Sequence, residues 1–160
     1  MSAITEYRRT DYRLRRSVRV ASCFGVAATA EPDTARGLLE QPLEDEAPAV
    51  RVAAADALSQ VGSGPMPEAL AHAARDASPT VRSAATRAVG SYDDERAVDV
   101  ALDALRDPDR DTVVEAGEAL VRLSRRPTAG GSARAVVEGA FGEWAVERAV
   151  ILAQIGKGET

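Results

Sequence analysis

From Pro48 onward the apolar positions Val50, Ala54, Ala57, Leu58 and Val61 fall at steps of 4, 3, 1 and 3. That spacing lays one stripe along a helix. Proline suits the first helical position, where its missing N–H is unpaired in any case, and Gly62 suits the stop just past the end. The pattern therefore predicts a helix over 48–61. A shift of 31 residues reproduces it: Asp45 falls on Asp76 and Asp107, Pro48 on Pro79, Val50 on Val81 and Thr112, Arg51 on Arg82. Ala54 falls on Ala85 and Ala116, Ala57 on Ala88 and Ala119, Leu58 on Val89 and Leu120. Ala47 falls on Ser78 and Asp109, both good helix caps.

Two weaker copies flank these three. Val18-Arg19-Val20-Ala21 repeats Val50-Arg51-Val52-Ala53 at an offset of 32, and Trp144 to Gly156 follows the shape of Val50 to Gly62. Between the copies lie shorter apolar stripes that predict first helices of two-helix units. They are Ala35, Leu38 and Leu39, ended by Pro42; Leu70, Ala71 and Ala74, opened by Pro67; Ala97, Val98, Ala101, Leu102 and Leu105; and Ala133, Val136, Val137 and Phe141. Residues 126–132, which include Gly130 and Gly131, read as a flexible link between repeats. A period of 20 to 50 residues predicts a solenoid.

The pattern D-x-x-x-x-V-R-x-x-A-x-x-A-L resembles the HEAT repeat in its short, HEAT-like or phycobilisome-lyase-type form, from about Val18 to Gly156. The resemblance implies an all-α fold: a right-handed α-solenoid (α-α superhelix) of about five stacked two-helix repeats, the outer ones degenerate. The chain then reads as one domain over 1–160. Residues 1–17 would be an amphipathic capping helix and 157–160 a frayed tail. The resemblance also implies that the second helices line a concave binding face. It implies further that Asp45, Arg51, Asp76, Arg82 and Asp107 form a ladder joining successive repeats. Val113 replaces the third arginine of that ladder and Ala145 the last.

Composition narrows the chemistry. Hydrophobic residues make up 45% of the 160 but aromatics only 4%, so Ala, Val and Leu must build the core. No run of 18 apolar residues predicts a membrane span. One cysteine, Cys23, allows no internal disulfide, and with a charged N-terminus this points to a cytoplasmic protein. The net charge is −5, but residues 1–19 hold six arginines against two acids, +4, which leaves −9 for the rest. Arg8, Arg9, Arg13 and Arg16 form a candidate basic patch for nucleic acid or an acidic partner.

No His–Cys–acid set, metal-ligand spacing or phosphate loop is visible, so no catalytic residue, metal or cofactor is assigned. His72 reads as an exposed bystander and Cys23, aligned with Ala55, as a small core residue. The candidate binding surface is the outward side of the second helices: Asp56, Gln60, Arg87, Ser91, Glu115, Glu118 and Arg122, with Ala53 and Ala84 in the same columns as Glu115. Its mixed signs disfavour a DNA groove. The expected function is a non-enzymatic scaffold for another protein. The alternatives are an enzyme or accessory factor on the same fold, since HEAT-like repeats occur in bilin lyases and DNA glycosylases, or nucleic-acid binding through the N-terminal arginines.

Overall fold

In the computed structural model, described for residues 3–62 and 64–139 and with side chains for residues 15–62 and 64–136, every regular element is helical. The helices are α1 (Ala3–Thr29), α2 (Pro32–Glu40), α3 (Pro48–Val61), α4 (Glu68–Ala73), α5 (Pro79–Val89), α6 (Glu95–Ala104), α7 (Arg110–Leu123) and α8 (Gly130–Gly139). A short 3₁₀ turn, Gln41–Glu44, follows α2. None of these helices is long and apolar enough to cross a membrane.

The chain stacks as an α-solenoid. Three complete pairs, α2/α3, α4/α5 and α6/α7, stand side by side, and the second helices form a continuous row α1, α3, α5, α7. The first helices α2, α4 and α6 lie against their own partners on the other side of that row. The predicted stripe on α3 is the reason: Val50, Ala54, Ala57 and Leu58 are all buried, as are Val81, Ala85, Ala88 and Val89 on α5 and Ala116, Ala119 and Leu120 on α7. Leu39, Leu58, Leu70 and Leu123 are fully covered, each stabilising by roughly 1.5–3 kcal/mol relative to an exposed side chain. Small residues set the spacing of the row. A Cβ on Gly62 would stand 2.6 Å from Ser91 Cβ, and one on Gly90 would stand 2.7 Å from Ala119 Cα. These glycines end their helices and are also where the next second helix presses closest.

Several expectations need correction. The N-terminal helix does not stop near residue 17; with no proline before Pro32 it runs unbroken to Thr29 and carries the Val18–Ala21 copy within it. It is the first helix of the second-helix row. Leu38, expected inward, is 56% exposed, while Ala35 and Leu39 are buried. Gly130 and Gly131 are the first turn of α8 rather than a link; the turn itself spans 124–129. Gly130 is buried, its N–H bonds Arg126 O at 3.0 Å, and a Cβ there would meet Ser124 O at 2.9 Å. Ser78 makes no side-chain cap; its hydroxyl pairs with Thr80 Oγ1 at 2.9 Å. Asp109 does cap, accepting from Thr112 N at 2.9 Å. The copy at Trp144–Gly156 and the tail at 157–160 lie outside the described residues.

Candidate functional site

The Asp and Arg columns lie where successive units meet. Arg51 clamps Asp76 with two bonds, Nε to Oδ2 at 2.7 Å and Nη2 to Oδ1 at 2.8 Å, and reaches back with Nη1 to Asp45 O at 2.8 Å. Arg82 repeats the arrangement one unit on, at 2.7 and 2.9 Å to Asp107 and 3.0 Å to Asp76 O. Each aspartate also accepts an N–H from the start of the following helix: Ala47 for Asp45, Ser78 for Asp76 and Asp109 for Asp107. One carboxylate thus serves both a helix end and the preceding repeat. Arg19 extends the ladder upstream, with Nη2 3.2 Å from Asp45 Oδ1. Its role was readable from its alignment with Arg51.

The ladder is electrostatically tuned. Burial pushes the Asp76 carboxyl up, but the Arg51 bonds and charge and the Ser78 N–H outweigh it and hold the group below its ordinary value. Arg82 holds Asp107 down in the same way, against the opposing effect of burial. These groups are spent on one another, and the ladder presents little charge outward: the Arg82 and Asp107 side chains are 14% and 11% exposed.

The outward columns are only partly free. Arg87 bonds Asp56 on α3 and, at 3.1 Å, Glu115 on α7, so one guanidinium bridges three second helices. Arg122 donates to Arg87 O at 3.0 Å and lies 3.6 Å from Glu118. Ser91 shares a hydroxyl bond with Ser59 at 3.2 Å, and its carbonyl accepts from Arg126 at 3.0 Å. Gln60 and Glu118 are exposed; Glu115 is not, and burial pushes its carboxyl up despite Arg87. Ala53 and Ala84 are buried at 3% and 2% against the neighbouring helix, so they do not line the open face. The column that does was missed: Val52, Ser83 and Val114, with Val114 52% exposed. Its signal was available, because these residues precede Asp56, Arg87 and Glu118 by one helical turn.

A second missed feature is the turn Ser91-Tyr92-Asp93-Asp94. Tyr92 is the largest fully buried side chain among the described residues, and its hydroxyl donates to Leu58 O at 3.1 Å; burial pushes it up to about 12. Asp94 accepts from Met66 N in the preceding loop at 3.0 Å, and Asp93 accepts from Thr128 N and Ala129 N in the following one at 3.0 and 2.9 Å. Two adjacent carboxylates thereby tie the α3–α4, α5–α6 and α7–α8 loops together. His72 is exposed on α4, 3.7 Å from Glu68. Cys23 is buried, and burial, then Asp45, pushes its thiol up. Arg16 is exposed on α1; the side chains of Arg8, Arg9 and Arg13 lie outside the described residues.

The profile of the HEAT repeats family matches residues 66–143, a span that takes in α4 to α8. No curated protein is significantly similar to the chain. The period, the paired helices and the Asp–Arg ladder agree with that match, and the chain is a HEAT-like repeat protein.

Proposed function

We propose that the chain is a non-enzymatic scaffold that holds a partner protein along the open face of α3, α5 and α7. HEAT repeats generally mediate protein–protein interaction, and extended faces of stacked helices are what such arrays offer. The observation that carries the reading is the contrast between columns. Ladder and core positions stay nearly constant from repeat to repeat, whereas the outward positions change: Val52, Asp56 and Gln60; Ser83, Arg87 and Ser91; Val114, Glu118 and Arg122. Arg87, fixed by Asp56 and Glu115, supplies a preorganised cation at the centre of the row, and Val114 adds exposed apolar surface beside Glu118. A rigid arginine flanked by apolar contact area is the kind of feature that anchors protein interfaces.

The test is affinity capture from the native cell with the wild-type chain and with the triple variant Gln60→Arg, Val114→Asp, Glu118→Arg. Those three residues are exposed and lie outside the Asp56–Arg87–Glu115 bridge, so the melting temperature should stay within a few degrees. Loss of a protein that the wild type captures is the expected result. Equal capture by both would remove this face from the reading, and recovery of nucleic acid alone would replace it with the N-terminal arginines.

A further inference from the structure

Two buried polar atoms face each other across the contact between α5 and α7. Thr86 is fully buried, and its Oγ1 has no hydrogen-bond partner among the described residues; Glu115 Oε2 is likewise buried and unpaired. Their placement follows from the register of the helices. Arg87 meets Glu115, and one turn on a Cβ on Gly90 would press against Ala119, so α5 and α7 run parallel with these levels matched. Thr86 lies one turn before Gly90, and Glu115 one turn before Ala119, which sets the two opposite each other. Both depart from their columns. Where Thr86 stands the other copies have Cys23, Ala55 and Gly117; where Glu115 stands they have Ala53 and Ala84, 3% and 2% exposed. A hydroxyl and a carboxyl thus replace small side chains on the two sides of one contact, where unpaired polar atoms are costly.

We infer that Glu115 is a proton-operated control on Arg87: ionised, it shares the guanidinium with Asp56; protonated at Oε2 from the medium, it bonds Thr86 Oγ1, directly or through one water, and leaves Arg87 a charge that a partner carboxylate can take. The inference rests on the reading of the α3, α5 and α7 face as the partner's. The two carboxyl oxygens divide the tasks. Oε1 accepts from Arg87 Nη1 at 3.1 Å, and Oε2 is the one left for a proton. The charges around the group lie on the same face: Asp56 on α3 acts through Arg87, and Glu118 and Arg122 share α7 with it. The neighbouring first helices α6 and α8 touch each other on the opposite side of the row. Asp56, Glu115 and Glu118 carry −3 against +2 on Arg87 and Arg122, a net −1 that one proton brings to zero. Burial pushes the Glu115 carboxyl up; Arg87 opposes the rise, Glu118 adds to it and Arg122 opposes it. The Arg87 side chain is 42% exposed and spends two N–H donors on its two acids, so others stay open to a partner.

The test follows the full chain by NMR as pH falls from about 7.5 to about 4, through the carbon shift of the Glu115 carboxyl and the Arg87 Nε–H signal. The two should move together, with one midpoint above the ordinary glutamate value of 4.5. Thr86→Val should lower that midpoint, because the neutral carboxyl loses its acceptor, and Thr86→Ser should leave it in place. Acetate alone is the probe for the freed charge. At neutral pH it should shift the Arg87 signal of Glu115→Gln, which fixes the neutral state, at a half-saturating concentration at least about 5-fold below that of the wild type. The thermal melt of each variant checks its folding. A Glu115 titration at or below 4.5, a midpoint indifferent to Thr86→Val, or an equal acetate response in the wild type and Glu115→Gln would each overturn the inference. No partner enters the measurement, so a failed capture strikes the docking face alone and leaves the titration to decide this inference by itself.

Discussion

A single carboxylate decides how each repeat boundary is held. Asp107 receives two bonds from Arg82 and one from the Asp109 N–H, and it stands below the ordinary value of 3.8 because Arg82 favours its charged form. The unfolded chain, with the ordinary value, takes up a proton first as pH falls. The Asp107 contribution is therefore complete above about pH 4 and disappears as pH drops from the ordinary value through the lower folded one. Asp76 acts in the same direction. Glu115 acts in the opposite one: burial raises it above 4.5, so its contribution falls as pH rises through its ordinary value and on through its raised one. The urea midpoint of the wild type should accordingly fall steeply with acid below pH 4, and Asp107→Asn should flatten that limb while lowering the midpoint at pH 7. An unchanged acid slope in the variant would place the pH dependence elsewhere. These columns were readable in the residues because a constant offset of 31 aligned Asp with Asp and Arg with Arg. Tyr92, Asp93 and Asp94 were not, since what they bind, Leu58 O in the last turn of α3 and Met66 N, Thr128 N and Ala129 N in loops, is supplied by segments about 30 residues away and follows no column.

Among the elements, the second helices were the most legible. A proline at the first position and a stripe of Val, Ala and Leu placed α3 and α5 correctly, because both signals are local and steric. Other ends depended on neighbours. Nothing local stops α1 before Pro32, and its length follows from packing along α3 rather than from its own cap. Gly130 begins a helix although glycine is a poor helix former, because Ser124 O leaves no space for a larger residue there. The same distinction predicts how glycines respond to substitution. Gly90→Ala should cost about 1–3 kcal/mol, since the added methyl meets the Ala119 backbone, which cannot turn aside as a side chain can. Gly37→Ala, at a helical site with open space around it, should stabilise by roughly 0.5–1 kcal/mol. Urea titrations of the two variants give the comparison. A neutral Gly90→Ala would mean that the second helices stand further apart than described.

At the scale of the whole molecule, the open question for any repeat array is whether its units unfold together. Here the links between units are dense: α1, α3, α5 and α7 form one packed row, Asp–Arg pairs join each step from Arg19 to Asp107, and Arg87 bridges three helices at once. Nearest-neighbour coupling of this kind makes stability approximately a sum of unit and interface terms, with cooperativity set by the interfaces. Leu58 tests it, being fully buried, with a carbonyl that accepts both the Gly62 N–H and the Tyr92 hydroxyl of the next unit. Leu58→Ala should cost about 2–5 kcal/mol, the range for a buried leucine that leaves a cavity. If the interfaces dominate, amide exchange protection should fall together in α3, α5 and α7, and circular dichroism should show one transition. If α3 alone loses protection while α5 to α7 keep theirs, the units melt independently and the ladder aligns them without coupling them. The first outcome is expected, because separating α3 from α5 also breaks the Arg51–Asp76 clamp, the Asp56–Arg87 bridge and the Tyr92–Leu58 bond, three interactions that the isolated halves have no means to replace.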